Sequence, residues 1–432
     1  MAQLRAPAEE RRQQEALLRG HAGDKDVTGD GKDDVVVVAG GGGESNDTKR
    51  ARAGLCGVLR ERKVVELARA KRRLVEVPYT ATLAHTANAL LAARVSAVAV
   101  AAPPGHWIGA GGSMILESDP ATGAVRKHYI GMVNMLDILA HIAEAGDDND
   151  AAAADADAAP GEAVDLDRRM AVPVSSVIGH SLEGLTLWTL HPNTSMLDCM
   201  ETFSKGVHRA LVPLESAAEN VVAAELVEAA PVYRMVTQMD VVRFLRAHGA
   251  ELGAILSRSV RGLGAASDDA VFAVASSTMV IEAVRTMRAA SLAAVPVVDA
   301  PVDAKILQDG RGKRVVETFS ATDLRDCPVA ELQAWLGIAV TEFKKKVAVY
   351  RTGENADEEE ERRRRRRRKM VTCSPESTLG EAIEKAVANH VHRLWVVDEE
   401  GLLAGVVSLT DVLRVVREAA IGEDRELHDI LS

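Results

Sequence analysis

The sequence predicts an α/β (α+β) protein built from four copies of one small unit, each a mixed sheet with two helices, the copies pairing into two modules. Three observations carry that expectation. A pair of β-branched apolar runs ending in a short polar element closed by aspartate recurs four times. A strand, a Ser/Thr-rich turn and a helical stretch precede each recurrence. Finally, one such unit, of about 55 core residues, buries too little surface to stand alone, so units should pack face to face.

The clearest copy is the last, VHRLWVVDEEGLLAGVVSLTDVL at 391–413. Leu394 to Val397 and Leu403 to Val407 flank an acidic Gly turn and read as strands. From Val412 the apolar spacing becomes helical, so Asp411 lies in the first turn of a helix springing from a strand end. Ser408 and Asp411 fit a capping box, and in any single copy capping is a sufficient role for them. In chain order, the first copy has RVSAVAV and YIGMVNMLDILAHI with Asn134 and Asp137. The second has VHRALVPLE and YRMVTQMDVVRFL with Thr237 and Asp240; the third has SLAAVPVVD and VVETFSATDLRD with Ser320 and Asp323. The front halves, VEVPYTATLAHTANALLAA, LTLWTLHPNTSMLDCMETF, VFAVASSTMVIEAVRTM and VTCSPESTLGEAIEKAV, run strand, turn, helix. In the fourth, Ser377 or Thr378 can cap a helix with Leu379, Ile383 and Val387 on one face. The distance between the paired strands varies, which places insertions at that loop.

The units are expected over 73–146, 173–248, 249–330 (with a lead-in helix) and 370–420. Residues 1–72, polar, Gly-rich and basic in patches, read as a largely disordered tail, and 421–432 as a C-terminal tail. An acidic Ala/Asp linker is expected over 147–172. Over 331–369 a bridging segment containing GIAVTEFKKKVAV, helical or extended, leads into the charged run GENADEEEERRRRRRRK. Seven arginines have the composition of a nuclear import signal or a nucleic-acid contact. The neighbouring glutamates can neutralise them, which favours a solvated, self-pairing linker.

Composition narrows the function. An apolar fraction of 47% fits a globular chain, and a net charge of −11 argues against a general nucleic-acid or membrane-surface binder. Aromatics make up 3%, so the core must come from Ala, Val, Leu and Ile. Cys56, Cys199, Cys327 and Cys373 form no C-x-x-C pair and read as reduced thiols of a cytosolic or nuclear protein. No apolar run approaches the roughly 20 residues of a membrane span, and the N-terminus is too charged for a secretory signal. DVVVVAGGGG at 34–43 lacks G-x-x-x-x-G-K, and GAGGSM at 109–114 opens no helix, so both read as loop or tail. His390 and His392 have no third ligand nearby and imply no metal. No segment outside the repeats is long enough for a catalytic domain, and the kinase signature set is missing, so no enzyme is expected.

The repeats resemble CBS (cystathionine β-synthase) motifs, and the fourth is similar to the last CBS motif of the γ subunit of AMP-activated protein kinase. From about residue 73 to 420 the chain resembles the plant γ-like subunits of the sucrose-non-fermenting-related kinase, in particular the PV-type subgroup. KRRLVEVPYTATL, APPGHWIGAGGSMI, HYIGMVNMLDILAHIA and NTSMLDCMETFSKGVHRALVPLE carry that likeness. It implies a non-catalytic regulatory subunit that senses adenine nucleotide (AMP, ADP or ATP) and docks on a kinase catalytic α and scaffold β subunit. The alternative is a scaffold that keeps the fold but binds nucleotide weakly or not at all.

By the same resemblance, Asp137, Asp240, Asp323 and Asp411 are the candidate ribose ligands. Thr237, Ser320 and Ser408 hold the hydroxyl position, Thr410 stands beside Asp411, and the pairs His208-Arg209 and His392-Arg393 reach phosphate. The chemistry is apt, since a carboxylate accepts two hydrogen bonds and a ribose diol offers two donors. A helix N-terminus also favours phosphate. Unit one departs from the pattern with Asn134 and Ser96, and unit three offers Ala293 where a basic residue is usual. Asp240 is present where animal γ subunits usually lack it. Units two and four are therefore the better expected phosphate binders.

Overall fold

A computed structural model describes residues 55–102, 128–152, 166–178, 187–214, 233–267, 269–301, 303–352 and 370–431. The tail before 55, the GAGGSM loop and the charged run at 353–369 lie outside the described residues. Two short helices lead, α1 (Leu55–Glu61) and α2 (Val64–Arg69). Unit one is β1 (Glu76–Pro78), α3 (Leu83–Ala93), β2 (Val98–Ala102), β3 (His128–Val133) and α4 (Met135–Ala152). After α5 (Leu166–Met170) comes unit two, with α6 (Met196–Ser204), β4 (Arg209–Pro213), β5 (Tyr233–Thr237) and α7 (Gln238–Ala247). Unit three is β6 (Ala273–Ala275), α8 (Val280–Ala289), β7 (Ala294–Val298), β8 (Ile306–Leu307), β9 (Val315–Ser320) and α9 (Ala321–Arg325). Then α10 (Leu332–Leu336) and α11 (Val340–Thr352) bridge to unit four. That unit is β10 (Thr372–Cys373), α12 (Leu379–Asn389), β11 (Arg393–Val397), β12 (Leu403–Ser408) and α13 (Leu409–Leu431).

In units one, three and four the front strand runs parallel to the middle strand, and the last strand is antiparallel to it. The parallel step needs a crossover, and the front helix supplies it. Among the described residues unit two shows no front strand, and Thr189 makes one isolated parallel bridge to Leu211. In units one and two the front helix starts where a hydroxyl accepts an otherwise unpaired amide, Thr82 from His85 and Ser195 from Asp198. In unit three, by contrast, the Met279 amide donates to Glu282. In unit four the capping residue is Thr378, which accepts from the Glu381 amide.

Two kinds of interface join the units. Sheets meet sheets within a module. Units one and two share Ala99, Tyr129, Leu211 and Tyr233, the two tyrosine rings meeting edge to face at 6.2 Å. Units three and four share Val271, Val298, Trp395 and Leu403, and the Trp395 indole donates to Thr318 Oγ1 at 2.7 Å. Helices meet helices between modules, one core uniting units one and three and another uniting two and four. Burial on both faces is what fixes four small sheets as one body.

Connecting segments complete these cores, which corrects several sequence boundaries. Each front-helix cap forms an antiparallel bridge with a connecting segment: Lys63 with Ser195, Thr82 with Pro173, Ser259 with Thr378 and Met279 with Ala339. The expected tail to residue 72 therefore ends earlier, because Leu55, Cys56, Leu59, Val64 and Ala68 are buried with units two and four. The expected acidic linker contains α5, whose Leu166 and Met170 are buried. The bridging segment is helical, with Trp335, Val340 and Phe343 buried against units one and three. The lead-in helix of unit three is a 3₁₀ helix, Gly253–Ser257, while the last helix runs through the expected C-terminal tail to Leu431. All four cysteines are buried free thiols. Burial pushes the thiols of Cys199 and Cys327 up to about 12 and that of Cys373 to about 11, so they stay protonated at neutral pH.

Gly405 in β12 shows how closely these segments approach. A Cβ there would sit 2.6 Å from the Ser267 carbonyl oxygen, where the lead-in to unit three lies against the strand. Gly405→Ala is expected to destabilise by about 1–3 kcal/mol through overpacking. Thermal unfolding of the variant tests this, and an unchanged midpoint would contradict the close approach.

Candidate functional site

The four aspartate elements have one local design. Each last strand ends beside the start of the middle strand, with the pairs Arg209 and Thr237, Ala294 and Ser320, and Arg393 and Ser408 in register. The first helical amide donates to the carbonyl preceding the middle strand: Gln238 to His208, Ala321 to Ala293 and Leu409 to His392. The basic pair and the aspartate element of units two and four are thus brought to the same end of the same sheet.

Each carboxylate uses one oxygen for the turn. Asp240 Oδ2 accepts from the Thr237 amide at 2.9 Å and its hydroxyl at 2.8 Å. Asp323 Oδ2 accepts from Ser320 at 2.9 and 2.7 Å, and Asp411 Oδ2 from Ser408 at 3.0 and 2.5 Å. In unit one, Asp137 Oδ2 accepts from the Asn134 amide at 2.9 Å, while Asn134 Oδ1 accepts from the Asp137 amide at 3.1 Å. Asn134 has no hydroxyl to donate, so that turn lacks the third bond.

The second oxygen faces a cation. Arg414 lies 3.5 Å from Asp411 Oδ1, Lys344 lies 3.5 Å from Asp323 Oδ1, and Lys71 lies 3.0 Å from Asp240. Burial lowers the pKa of Arg288 and the charge of Asp137 opposes that shift, which puts the two close enough to interact. Sequence reasoning missed Lys71, Lys344 and Arg288, because each reaches the aspartate from a different part of the chain. A basic cluster at 71–73 was the available signal for the first.

The basic pairs reach across their modules. Arg209 Nη2 lies 3.4 Å from Ser96 Oγ of unit one, and Arg393 Nη1 donates to the Ala294 carbonyl of unit three at 2.8 Å. Both land where unit one or three has a small residue at its strand start. Thr410 accepts from Gln238 Nε2 at 2.9 Å, joining the helix starts of units two and four. Its hydroxyl therefore has a structural partner between modules. Among the described residues no three His, Cys, Asp or Glu side chains gather as a metal site, and no helix is long and apolar enough to cross a membrane.

Four such units with these paired sheets, the front strand of unit two reduced to a bridge, define a CBS-type protein. The CBS domain profile matches residues 366–418. The chain is 52% identical over 354 residues to the Arabidopsis thaliana SNF1-related protein kinase regulatory subunit gamma-like PV42a, covering 80% of this chain and 92% of that one. It is 47% identical to PV42b of the same plant, covering 83% and 95%. A crystal structure from Methanocaldococcus jannaschii, of a protein proposed as an archaeal homologue of g-AMPK, shares the fold with a TM-score of 0.50 and 16% identity, covering 82% of this chain and 99% of that one. The chain belongs to the gamma-like regulatory subunit family of SNF1-related protein kinases.

Proposed function

We propose that the chain is a non-catalytic regulatory subunit that binds adenine nucleotide at its aspartate elements and docks with a kinase catalytic subunit and its scaffold subunit. The observation that carries the nucleotide reading is the joint placement of Arg393, Ser408 and Asp411 at one sheet end of unit four. There the carboxylate accepts ribose hydroxyls, and the arginine and the helix N-terminus receive phosphate. Arg209, Thr237 and Asp240 repeat the set in unit two. The kinase partners follow from the names of the relatives.

Calorimetry with AMP and adenosine on wild type, Arg209→Gln and Arg393→Gln tests this reading. A charge-assisted bond of about 1.5–3 kcal/mol corresponds to roughly ten- to hundredfold in affinity. That loss is expected for AMP and not for adenosine, from Arg393→Gln where unit four is filled and from Arg209→Gln where unit two is. Equal losses for both ligands would mean that the arginines shape the pocket, in keeping with their backbone and Ser96 contacts. A folded wild type that binds neither ligand would leave the scaffold reading. Co-purification of kinase subunits with the native chain tests the partners.

A further inference from the structure

The cations beside the candidate aspartates come from the same helix, from another unit or from outside the repeats. Arg288 of unit three, which interacts with Asp137, is of the second kind. Arg414 comes from the next turn of the same helix as Asp411. Lys71 and Lys344 come from outside the repeats, Lys71 from the segment between α2 and β1 and Lys344 from α11.

Lys71 Nζ is 3.0 Å from each carboxylate oxygen of Asp240. Oδ2 also accepts from the Thr237 amide and hydroxyl, and Arg243 lies 3.5 Å from Oδ1. A carboxylate offers about four lone-pair sites, so these donors leave no place for a diol while Lys71 stays. The Asp240 side chain is 9% exposed, against 24% for Asp411, whose Oδ1 faces Arg414 at 3.5 Å. Unit three is looser: Lys344 lies 3.5 Å from Asp323 Oδ1 alone, with the carboxylate 21% exposed, and is shared with Glu317 at 3.4 Å and the Thr318 carbonyl.

We propose that Lys71 is a tethered occupant of the ribose position of unit two, so that adenine nucleoside is turned away from unit two and left to unit four. This rests on the nucleotide reading above. It also gives the α1–α2 segment a function: it docks on unit two and holds a cation on the carboxylate that would otherwise take ligand.

Adenosine is the probe, because it presents ribose without an anion for the lysine to meet. Calorimetry of the full chain compares wild type, Lys71→Met and Lys71→Met/Asp240→Asn. Lys71→Met is expected to show a further adenosine-binding event, tightened roughly ten- to hundredfold relative to unit two of the wild type. Asp240→Asn in that background is expected to abolish the gain. Lys71→Gln, which can still donate one hydrogen bond to Asp240, replaces Lys71→Met if the latter does not fold, with a smaller gain expected. If wild type binds adenosine and a folded Lys71 variant binds no better, or less well, the tethered-occupant proposal is overturned and the nucleotide reading stands. If no form binds, including wild type, the nucleotide reading falls and takes this proposal with it.

Discussion

Asp411→Asn is expected to weaken adenosine and AMP alike at unit four, by roughly ten- to hundredfold, with the fold retained. The substitution removes the charge from an acceptor that serves two ribose donors, and charge-assisted bonds of this kind contribute about 1.5–3 kcal/mol each. The amide oxygen of Asn can still accept from the Ser408 amide, which Asp411 Oδ2 now does at 3.0 Å. Helix capping is therefore only partly lost, and losing a cap altogether costs about 0.5–2 kcal/mol. Paired calorimetry and thermal unfolding separate the two roles of this carboxylate. Normal affinity with a lowered midpoint would show that Asp411 caps its helix and does nothing more. The contrast with Arg393→Gln is diagnostic, because that change should spare adenosine.

Leu59→Ala is expected to destabilise the chain by about 2–5 kcal/mol, the range for a fully buried leucine truncated to alanine. Leu59 lies on α1, is 0% exposed, and packs in the core that joins units two and four. The Leu55 amide is also 3.2 Å from the Glu423 carboxylate on the last helix, tying the first described helix to the last. Thermal or denaturant unfolding reads the effect directly. A midpoint equal to wild type would return residues 55–61 to the tail that composition alone implies.

The strand–helix–strand–strand–helix unit and its aspartate turn were legible in the sequence because they are local. Alternating β-branched runs specify strands, and a hydroxyl followed three residues later by aspartate specifies a helix start. Val315–Ser320 leading into Asp323, and Leu403–Ser408 into Asp411, follow from those signals alone. Residues 55–69 were not legible, because their few apolar side chains lack a face until units two and four provide one. The role of Lys71 was illegible for the same reason, since 169 residues of chain separate it from Asp240.

By itself, the sequence determined the repeated unit, the four turns and the family likeness, all properties of contiguous residues. Tertiary structure alone decided which sheets meet, which helices meet, and which distant cation stands before Asp137, Asp240 and Asp323. Those choices depend on apolar area buried between distant segments and on charges brought within about 4 Å of each other, where an ion pair forms. No local pattern encodes either quantity.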